Sequence, residues 1–282
     1  MEKSLKILEI SSLEDAKSKT KEALDIFKSD GVFVLRGYNF SLEDQLKFVQ
    51  LMGDELGWNV HSGAEQTVLD SSVYEGGHSD LDREYNEKAD EYLLDWHIEQ
   101  VYYIYPILAG VWNMTKFTAD SSVGNTRFVD ASELYERYSE EDREFLSKSV
   151  VFWDKPAPGG RGPFYTNVVQ PHPISGKPTL RVETDQGCYV MPTLHKYDGK
   201  DPTEEQTSRL QDLLSKLKNA LNDDEEIRYI QRWQEGDMLI VDLFKMYHAV
   251  MGGFKSGERR FTGIGLRPRT YDNSKYDSLD LL

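Results

Sequence analysis

The sequence is poor in cysteine, in positive charge and in long apolar runs, and each shortage excludes something. Its only cysteine is Cys188, so no disulfide can form within the chain, and a reducing cytoplasm is the expected compartment. No apolar run reaches the roughly 18 residues that a membrane-spanning helix requires. The N-terminus lacks an apolar block followed by a cleavage site, so we also expect no signal peptide.

Acidic residues outnumber basic ones in the 282-residue chain. There are 49 Asp and Glu against 33 Lys and Arg, which gives a formal net charge of -16. Nucleic acids and anionic membrane surfaces are bound through basic patches, so we predict neither as a partner. A small-molecule substrate is the expected partner, and a few converging arginines could still bind a small anion. The sequence makes no prediction of oligomeric state.

Predicted strands outnumber predicted helices, and the two do not alternate regularly along the chain. Amphipathic spacing and capping residues predict helices over 12–29, 41–56, 132–147 and 203–221. Apolar and β-branched runs predict strands over 31–37, 93–97, 109–117, 150–153, 179–184, 227–233, 238–242 and 261–267. This order favours an α+β fold with a double-stranded β-helix (jelly-roll) core and flanking helices.

We predict a single domain over residues 1–282, with two functional loops inside it. The stretch 58–91 is polar and acidic with weak periodicity, and loops of this length in compact domains are often lids. The stretch 155–167 is rich in proline and glycine, which predicts a mobile loop.

A His-x-Glu pair is the first candidate for chemistry. In an extended segment, side chains two residues apart point to the same side, so His97 and Glu99 can reach one metal ion. The apolar run 238–242 is followed by His248, which is placed to supply a third ligand. Two imidazoles and a carboxylate on one face form the triad of non-haem Fe(II) oxygenases, which leaves coordination positions open.

Each of these residues also has a simpler interpretation when taken alone. His97 could be a partly buried histidine bonded to a neighbouring carboxylate, and Glu99 could be a solvated charge. A zinc hydrolase with two histidines and one glutamate is a further alternative, but the sequence lacks a helical His-Glu-x-x-His and offers no clear general base.

Two consecutive arginines follow the third candidate ligand. A glycine-rich turn over 252–257 reverses the chain and leads into a strand that opens with Arg259 and Arg260. Neighbours alternate across a strand, so one of the two must face inward. A planar guanidinium suits a carboxylate through two parallel hydrogen bonds.

These motifs, in this order, resemble the taurine dioxygenase family of Fe(II)/2-oxoglutarate oxygenases, which includes clavaminate-synthase-like amino-acid hydroxylases. The resemblance runs from residue 31 to about 267. Its motifs are the opening strand at 31–37, Trp-His-x-Glu at 96–99, the Gly-x-Thr segment at 124–128, the His-Pro turn at 172–177, the segment 233–248 that leads to the distal histidine, and Arg260 twelve residues beyond it.

The resemblance implies both an activity and a set of roles. Fe(II) would be held by His97, Glu99 and His248, and the far carboxylate of the co-substrate 2-oxoglutarate would pair with Thr126 and Arg260. O2 would complete the reaction, which consumes 2-oxoglutarate and usually hydroxylates an unactivated C–H bond. Desaturation, cyclisation or oxidative cleavage at the same iron are alternatives, as is a sensor that binds metal or 2-oxoglutarate without turnover.

Two departures from the family pattern bear on the substrate. The carboxylate ligand is Glu99, the form seen in the amino-acid hydroxylases, where most of the taurine dioxygenase branch has aspartate. The second downstream arginine is missing, since Gly263 and Ile264 stand near its place. We therefore expect an amino acid or a derivative as substrate, and we do not expect a sulfonate.

Other polar and aromatic residues carry weaker expectations. Trp112 is expected in the core or in a pocket wall. Arg181 and Glu183 could contact substrate, but a surface position or strand pairing is the favoured interpretation for each.

Overall fold

The computed structural model describes residues 2–61, 73–76, 90–101, 106–153, 164–183, 192–255 and 257–268. The strands in these ranges are β1 (Lys6–Glu9), β2 (Val32–Arg36), β3 (Trp58–His61), β4 (Val73–Gly76), β5 (Tyr92–Ile98), β6 (Ala109–Phe117), β7 (Thr126–Asp130), β8 (Ser149–Trp153), β9 (Phe164–Asn167), β10 (Val169–Pro171), β11 (Pro178–Leu180), β12 (Thr193–Tyr197), β13 (Arg228–Gln231), β14 (Met238–Asp242), β15 (Met246–Met251) and β16 (Arg259–Pro268). The α-helices are α1 (Leu13–Ser18), α2 (Thr20–Asp30), α3 (Leu42–Leu56), α4 (Ala131–Glu136), α5 (Glu140–Ser147) and α6 (Glu204–Asp223).

Two larger sheets organise these strands. One has seven strands in the order β1-β2-β14-β6-β16-β3, with β4 also paired to β16. The other has four strands in the order β13-β7-β15-β5. β1 and β2 are parallel, and every other pairing within these two sheets is antiparallel. Two small sheets, β12-β8-β9 and β10-β11, complete the set. The prediction of a mixed fold of helices and sheets is confirmed.

Strict alternation along the strands divides the core into layers. In β2, Phe33 and Leu35 pack in a cluster with residues of the first three helices, whereas Val32 and Val34 belong to a different cluster. That second cluster also takes Phe128 from the four-stranded sheet. The two larger sheets therefore meet through their inner faces.

A third cluster covers the other face of the four-stranded sheet. It joins Trp96 and Ile98 of β5 and Val129 of β7 to the apolar side of α6. The residues between them on each strand consequently face the inner layer between the two sheets. His97 lies between Trp96 and Ile98, and His248 lies between Tyr247 and Ala249 of the same cluster, so both histidines face the inner layer.

Helix boundaries follow local capping chemistry. The Ser41 side chain accepts from the Asp44 N–H at the start of α3, and Thr203 forms a capping box with Gln206 at the start of α6. The helices predicted over 12–29 and 132–147 are each divided in two. In the second case Ser139 caps a new helix, since its side chain accepts from the Asp142 N–H.

Parts of the predicted loops lie outside the described residues. This holds for most of the lid at 58–91 and of the mobile loop at 155–167. The strand predicted over 179–184 is shorter, because β11 ends at Leu180 and residues 181–183 continue without ladder pairing. Among the described helices, none is long and apolar enough to cross a membrane.

Candidate active site

Two neighbouring strands bring the predicted metal ligands together. β5 and β15 pair antiparallel, and their register places His97 directly opposite His248. Glu99 follows the last residue of β5, and the next residue, Gln100, has a left-handed backbone with a φ of 51° that turns the chain. The fold thus unites ligands about 150 positions apart in sequence, through a single strand pairing.

The distances among these three side chains suit one shared ion. Potential ligand atoms of His97, Glu99 and His248 all lie within 4.8 Å of one another. The His248 Nε2 lies 3.9 Å from the Glu99 Oε2, and the two imidazole centroids are 4.0 Å apart. The structure therefore places the three residues of the predicted triad in one cluster.

Backbone carbonyls orient both imidazoles. The His97 Nδ1 lies 2.8 Å from the Asp95 carbonyl oxygen, and the His248 Nδ1 lies 3.4 Å from the Met246 carbonyl oxygen. If each Nδ1 carries the proton and donates, each Nε2 is left as a lone-pair ligand, which is the usual arrangement for histidines that bind metals.

Electrostatics favour the neutral form of the buried histidine. Burial, and then the neighbouring His97, hold the pKa of His248 well below its ordinary value. A metal ligand must be unprotonated, so this shift prepares His248 to bind. Two imidazoles and one carboxylate fit a ferrous ion, with positions left for other ligands.

The turn before His248 is held by a buried aspartate. The Asp242 Oδ1 accepts from the backbone N–H groups of Phe244 and Lys245, and its Oδ2 lies 2.7 Å from the His172 Nε2. His172 belongs to the His-Pro turn at 172–177, which gives this motif a structural role. The link fixes the turn from which β15 starts toward His248.

The inward arginine of the predicted pair is Arg259. Its side chain is 3% exposed, and its Nη2 donates to the Thr126 hydroxyl at 3.2 Å. Arg260 is exposed on the opposite side of β16. The expectation that Arg260 lies beside Thr126 is wrong by one residue, since Arg259 lies there. Arg260 and Ile264 are four residues apart and therefore point to the same face of β16, which is the face that packs against the helices.

Arg259 is buried, and no described carboxylate pairs with it. Its Nε and Nη1 have no hydrogen-bond partner among the described residues, and burial lowers the pKa of Arg259 to about 10. The rings of Trp233, Phe254 and Phe261 surround the guanidinium at 5.5 to 5.8 Å. A carboxylate ligand would accept hydrogen bonds from these two nitrogens and would also offset the charge.

Thr126 lies beside the Arg259 guanidinium. Its Oγ1 accepts from the Trp233 Nε1 at 2.9 Å and from Arg259, so its own proton is left to donate. Thr126 stands opposite Val250 in the ladder between β7 and β15, two positions from the Phe128–His248 pair. Two strand residues correspond to about 7 Å, so the site fits a dicarboxylate such as 2-oxoglutarate reaching from the triad to Arg259.

Aromatic rings stand beside the triad. Trp112 and Phe128 lie 5.4 and 6.1 Å from His248 between ring centroids, and Phe261 lies 6.1 Å from Trp112. The expectation that Trp112 is a core or wall residue agrees with this position. Its Nε1 is buried and has no partner among the described residues.

Sequence reasoning underrated two charged residues close to the triad. Arg181 is 1% exposed and Glu183 is 5% exposed, so the favoured surface interpretation is wrong for both. Burial raises the pKa of Glu183 to about 8. The available signal was their spacing of two, which puts both side chains on one face of an extended segment.

The comparisons with known proteins agree with this geometry. Residues 4–265 match the sequence model of the family described as taurine catabolism dioxygenase TauD, TfdA. The chain belongs to this family. The family suspected from the motifs is thereby confirmed.

Individual relatives are distant. The alpha-ketoglutarate-dependent xanthine dioxygenase xanA of Emericella nidulans is 25% identical over 173 residues, which cover 51% of this chain and 45% of the relative. The matched region thus spans about half the length of that curated protein.

Solved structures share the fold at low identity. A taurine dioxygenase from Burkholderia xenovorans superposes with a TM-score of 0.65 at 15% identity, over 89% of this chain and 82% of that one. The PvcB protein from Pseudomonas aeruginosa gives 0.61 at 17% identity, over 93% and 88% of the two chains. At these identities the likeness is evidence of fold alone.

At the level of the family, the predicted class and cofactors are confirmed. The family is one of dioxygenases, and its curated relative depends on alpha-ketoglutarate, which is another name for 2-oxoglutarate. Another solved PvcB structure, with a TM-score of 0.61 at 15% identity, is described as that of an Fe, alpha-ketoglutarate dependent oxygenase. The predicted Fe(II), 2-oxoglutarate and O2 agree with these descriptions and with the donor set of His97, Glu99 and His248.

Proposed function

We propose that this protein is an Fe(II)- and 2-oxoglutarate-dependent dioxygenase that hydroxylates a C–H bond of a small molecule. One observation carries the proposal: a His-Glu-His cluster with the spacing of a metal site shares the inner layer with a buried arginine, two of whose nitrogens have no hydrogen-bond partner among the described residues. Each feature by itself is compatible with several kinds of binding site. Together they form the two binding ends that a metal-chelating dicarboxylate requires.

In this proposal each residue has a defined task. His97 and His248 bind the ion through Nε2, and Glu99 binds it through its carboxylate. Arg259 and Thr126 bind the far carboxylate of 2-oxoglutarate, so Arg259 takes the role expected of Arg260. The bound iron, 2-oxoglutarate and O2 supply the oxidising power that breaks the C–H bond.

The surrounding rings limit access of water to the site. Trp112, Phe128 and Phe261 present apolar surface beside the triad and the guanidinium. Exclusion of water strengthens the ion pair between Arg259 and a bound carboxylate. It also protects a reactive site from side reactions.

The two larger sheets are proposed to form the layers of a double-stranded β-helix. Their inner faces share one apolar cluster, and all pairings except β1 with β2 are antiparallel. We extend the proposal to a single domain over residues 1–282 and a cytoplasmic location.

An amino acid or a derivative is the substrate class we propose. The glutamate ligand, Glu99, supports it, and so does the lack of an arginine at the place where a sulfonate would be gripped. Gly263 lies opposite Trp112 in the sheet, and Ile264 is buried among the helices, so neither can pair with an anion. The relatives are described as dioxygenases of taurine and of xanthine, two different compounds, and do not decide the matter.

An anaerobic titration tests the proposed site directly. Fe(II) and 2-oxoglutarate added to the purified protein should produce a weak visible charge-transfer band. The band should be absent in His97→Ala and present in His195→Ala, a histidine on β12 outside the cluster. No band with the wild-type protein would overturn the proposal.

Turnover is tested separately by succinate release in a screen of amino acids and their derivatives. Succinate together with a hydroxylated product is the expected outcome. A succinate-coupled product that carries a new double bond or ring would assign desaturation or cyclisation to the same iron. A band without succinate from any amino acid tested would contradict the proposed substrate class.

A further inference from the structure

Two buried charged side chains contact the metal-binding segment from behind. Arg181 and Glu183 follow β11, and the structure gives neither of them a ligand position or a place at the anion-binding end. They are two residues apart and extend from the same side of the segment. Among the described residues, their side-chain hydrogen bonds lead to the two segments that carry the metal ligands, here called arms: the end of β5 with Glu99, and the turn from Asp242 to His248.

The first arm is held through its backbone. The Glu183 Oε1 accepts from the Ile98 N–H at 3.1 Å, and the Arg181 Nη2 donates to the Glu99 carbonyl oxygen at 3.2 Å. These two groups flank the carboxylate ligand at the point where β5 ends and no further ladder bond supports the chain. The side chains therefore replace the support that the sheet no longer gives.

The second arm is held by the same guanidinium. The Arg181 Nη1 donates to the Phe244 carbonyl oxygen, and its guanidinium carbon lies 4.2 Å from the centroid of the Phe244 ring. Phe244 belongs to the turn between β14 and β15 that leads to His248. In addition, the Tyr247 hydroxyl donates to the Val182 carbonyl oxygen at 2.6 Å. One short segment thus binds both arms.

Burial of the Arg181 charge lowers the stability of the fold, so its presence needs another explanation, and the orientation of the two arms is one. Its partners are neutral carbonyls, its Nε has no partner among the described residues, and burial lowers its pKa to about 10. A buried charge whose hydrogen-bond partners are all neutral is less favourable than one paired with a carboxylate, so an apolar residue would fill the space at a smaller cost. Two donors in a rigid plane can, however, fix two carbonyls relative to each other.

We propose that Arg181 and Glu183 form a brace that holds the His97–Glu99 segment and the His248 turn at the separation required by a metal ion. The inference rests on the proposed function, because it concerns the same metal site. Both are positioning residues: they act through the backbone of the ligands and do not touch the ion.

Anaerobic Fe(II) affinity, measured together with thermal unfolding, tests the brace. Arg181→Met removes both donors and keeps an unbranched chain, and we expect Fe(II) affinity to fall about 10- to 100-fold, as for other outer-shell partners of metal ligands. Arg181→Lys keeps the positive charge and a donor that can contact one of the two carbonyls, so it should recover part of the lost affinity. Glu183→Gln, which keeps an acceptor oxygen, should bind Fe(II) more tightly than Glu183→Leu.

Arg228 offers a matched control. It is also buried, and its Nη2 donates to two backbone carbonyls, those of Leu221 and Asn222, but these belong to α6 on the far side of the four-stranded sheet. Arg228→Met should change in thermal stability in the same direction as Arg181→Met and yet keep its Fe(II) affinity.

The outcomes separate the two proposals. Equal Fe(II) affinity in Arg181→Met and wild type, or an equal loss in Arg228→Met, would overturn the brace and leave the metal site standing. Wild-type protein that binds no Fe(II) would instead overturn the proposed function. If Arg181→Met does not fold, the comparison of Glu183→Gln with Glu183→Leu decides the matter.

Discussion

The two ends of the proposed site differ in how well their polar groups are satisfied within the protein itself. At the triad end, the His97 Nδ1 has a carbonyl partner, and the backbone groups of Ile98 and Glu99 have side-chain partners. At the anion end, Arg259 makes one hydrogen bond, to Thr126, and two of its nitrogens have no partner in the described part of the chain.

The difference indicates two strategies for binding. A metal site must present its ligands at fixed distances, so the chain holds the backbone around them. An anion site gains affinity when the ligand supplies hydrogen bonds that the protein lacks, because an unsatisfied buried charge is relieved on binding. In the proposed site, the triad end would present ligands at fixed positions, and the Arg259 end would gain its missing hydrogen bonds from the carboxylate it binds.

The largest effect is expected from Arg259→Met. Loss of the buried cation should weaken 2-oxoglutarate binding by about 2–5 kcal/mol, the range for truncating one partner of a buried charged pair. The same variant should unfold at a temperature equal to or above that of the wild type when no ligand is present, because an uncompensated charge has been removed. Titration of the charge-transfer band and thermal unfolding measure the two quantities.

Arg260→Met is the matched control for this prediction. Its side chain is exposed on the other face of β16, so 2-oxoglutarate affinity should stay near that of the wild type. A large loss of affinity in Arg260→Met with none in Arg259→Met would restore the assignment made from the sequence spacing and remove the contrast between the two ends.

A smaller effect, confined to a pH window, is expected from Glu183→Gln at the triad end. Burial first, and then Glu99, raise the pKa of Glu183 to about 8 from a usual 4.5. Between these values the folded protein keeps a proton that the unfolded chain has released, so the free energy of unfolding falls as pH rises through the window. Glutamine does not titrate, so the wild type should lose about 1.4 kcal/mol per pH unit relative to the variant.

Urea unfolding of chelator-treated protein at pH 5 and pH 8 measures this difference. Relative to the wild type, the variant should have a higher free energy of unfolding at pH 8 than at pH 5. A difference in unfolding free energy between the two proteins that is the same at both pH values would show that the folded protein does not hold Glu183 protonated.

The triad could be predicted from the sequence because each of its signals is local. Side chains two apart in an extended segment share a face, and the buried run of β14 ends shortly before His248. The helix starts at Ser41 and Thr203 were predictable for the same reason, since a cap is recognised within four residues.

The inward arginine could not be chosen from the local sequence alone. Alternation requires one of Arg259 and Arg260 to face inward, and the choice follows from parity with Ile264 and Leu266, whose side is known only once the helices are seen to pack there. Arg181 and Glu183 gave still less signal. Their burial is decided by Ile98, Glu99 and Phe244, which are distant in sequence, and charged residues are usually exposed.

The smallest predicted effect concerns what offsets the buried charge of Arg259 in the ligand-free protein. Three rings surround the guanidinium, and Phe254 is one of them, at 5.5 Å. A double-mutant cycle of Phe254→Leu with Arg259→Met, followed by thermal unfolding, should give a favourable coupling of about 0.5–2 kcal/mol, the range of a cation–π contact. Additive effects would mean that Phe254 only fills space beside the guanidinium and does not offset its charge.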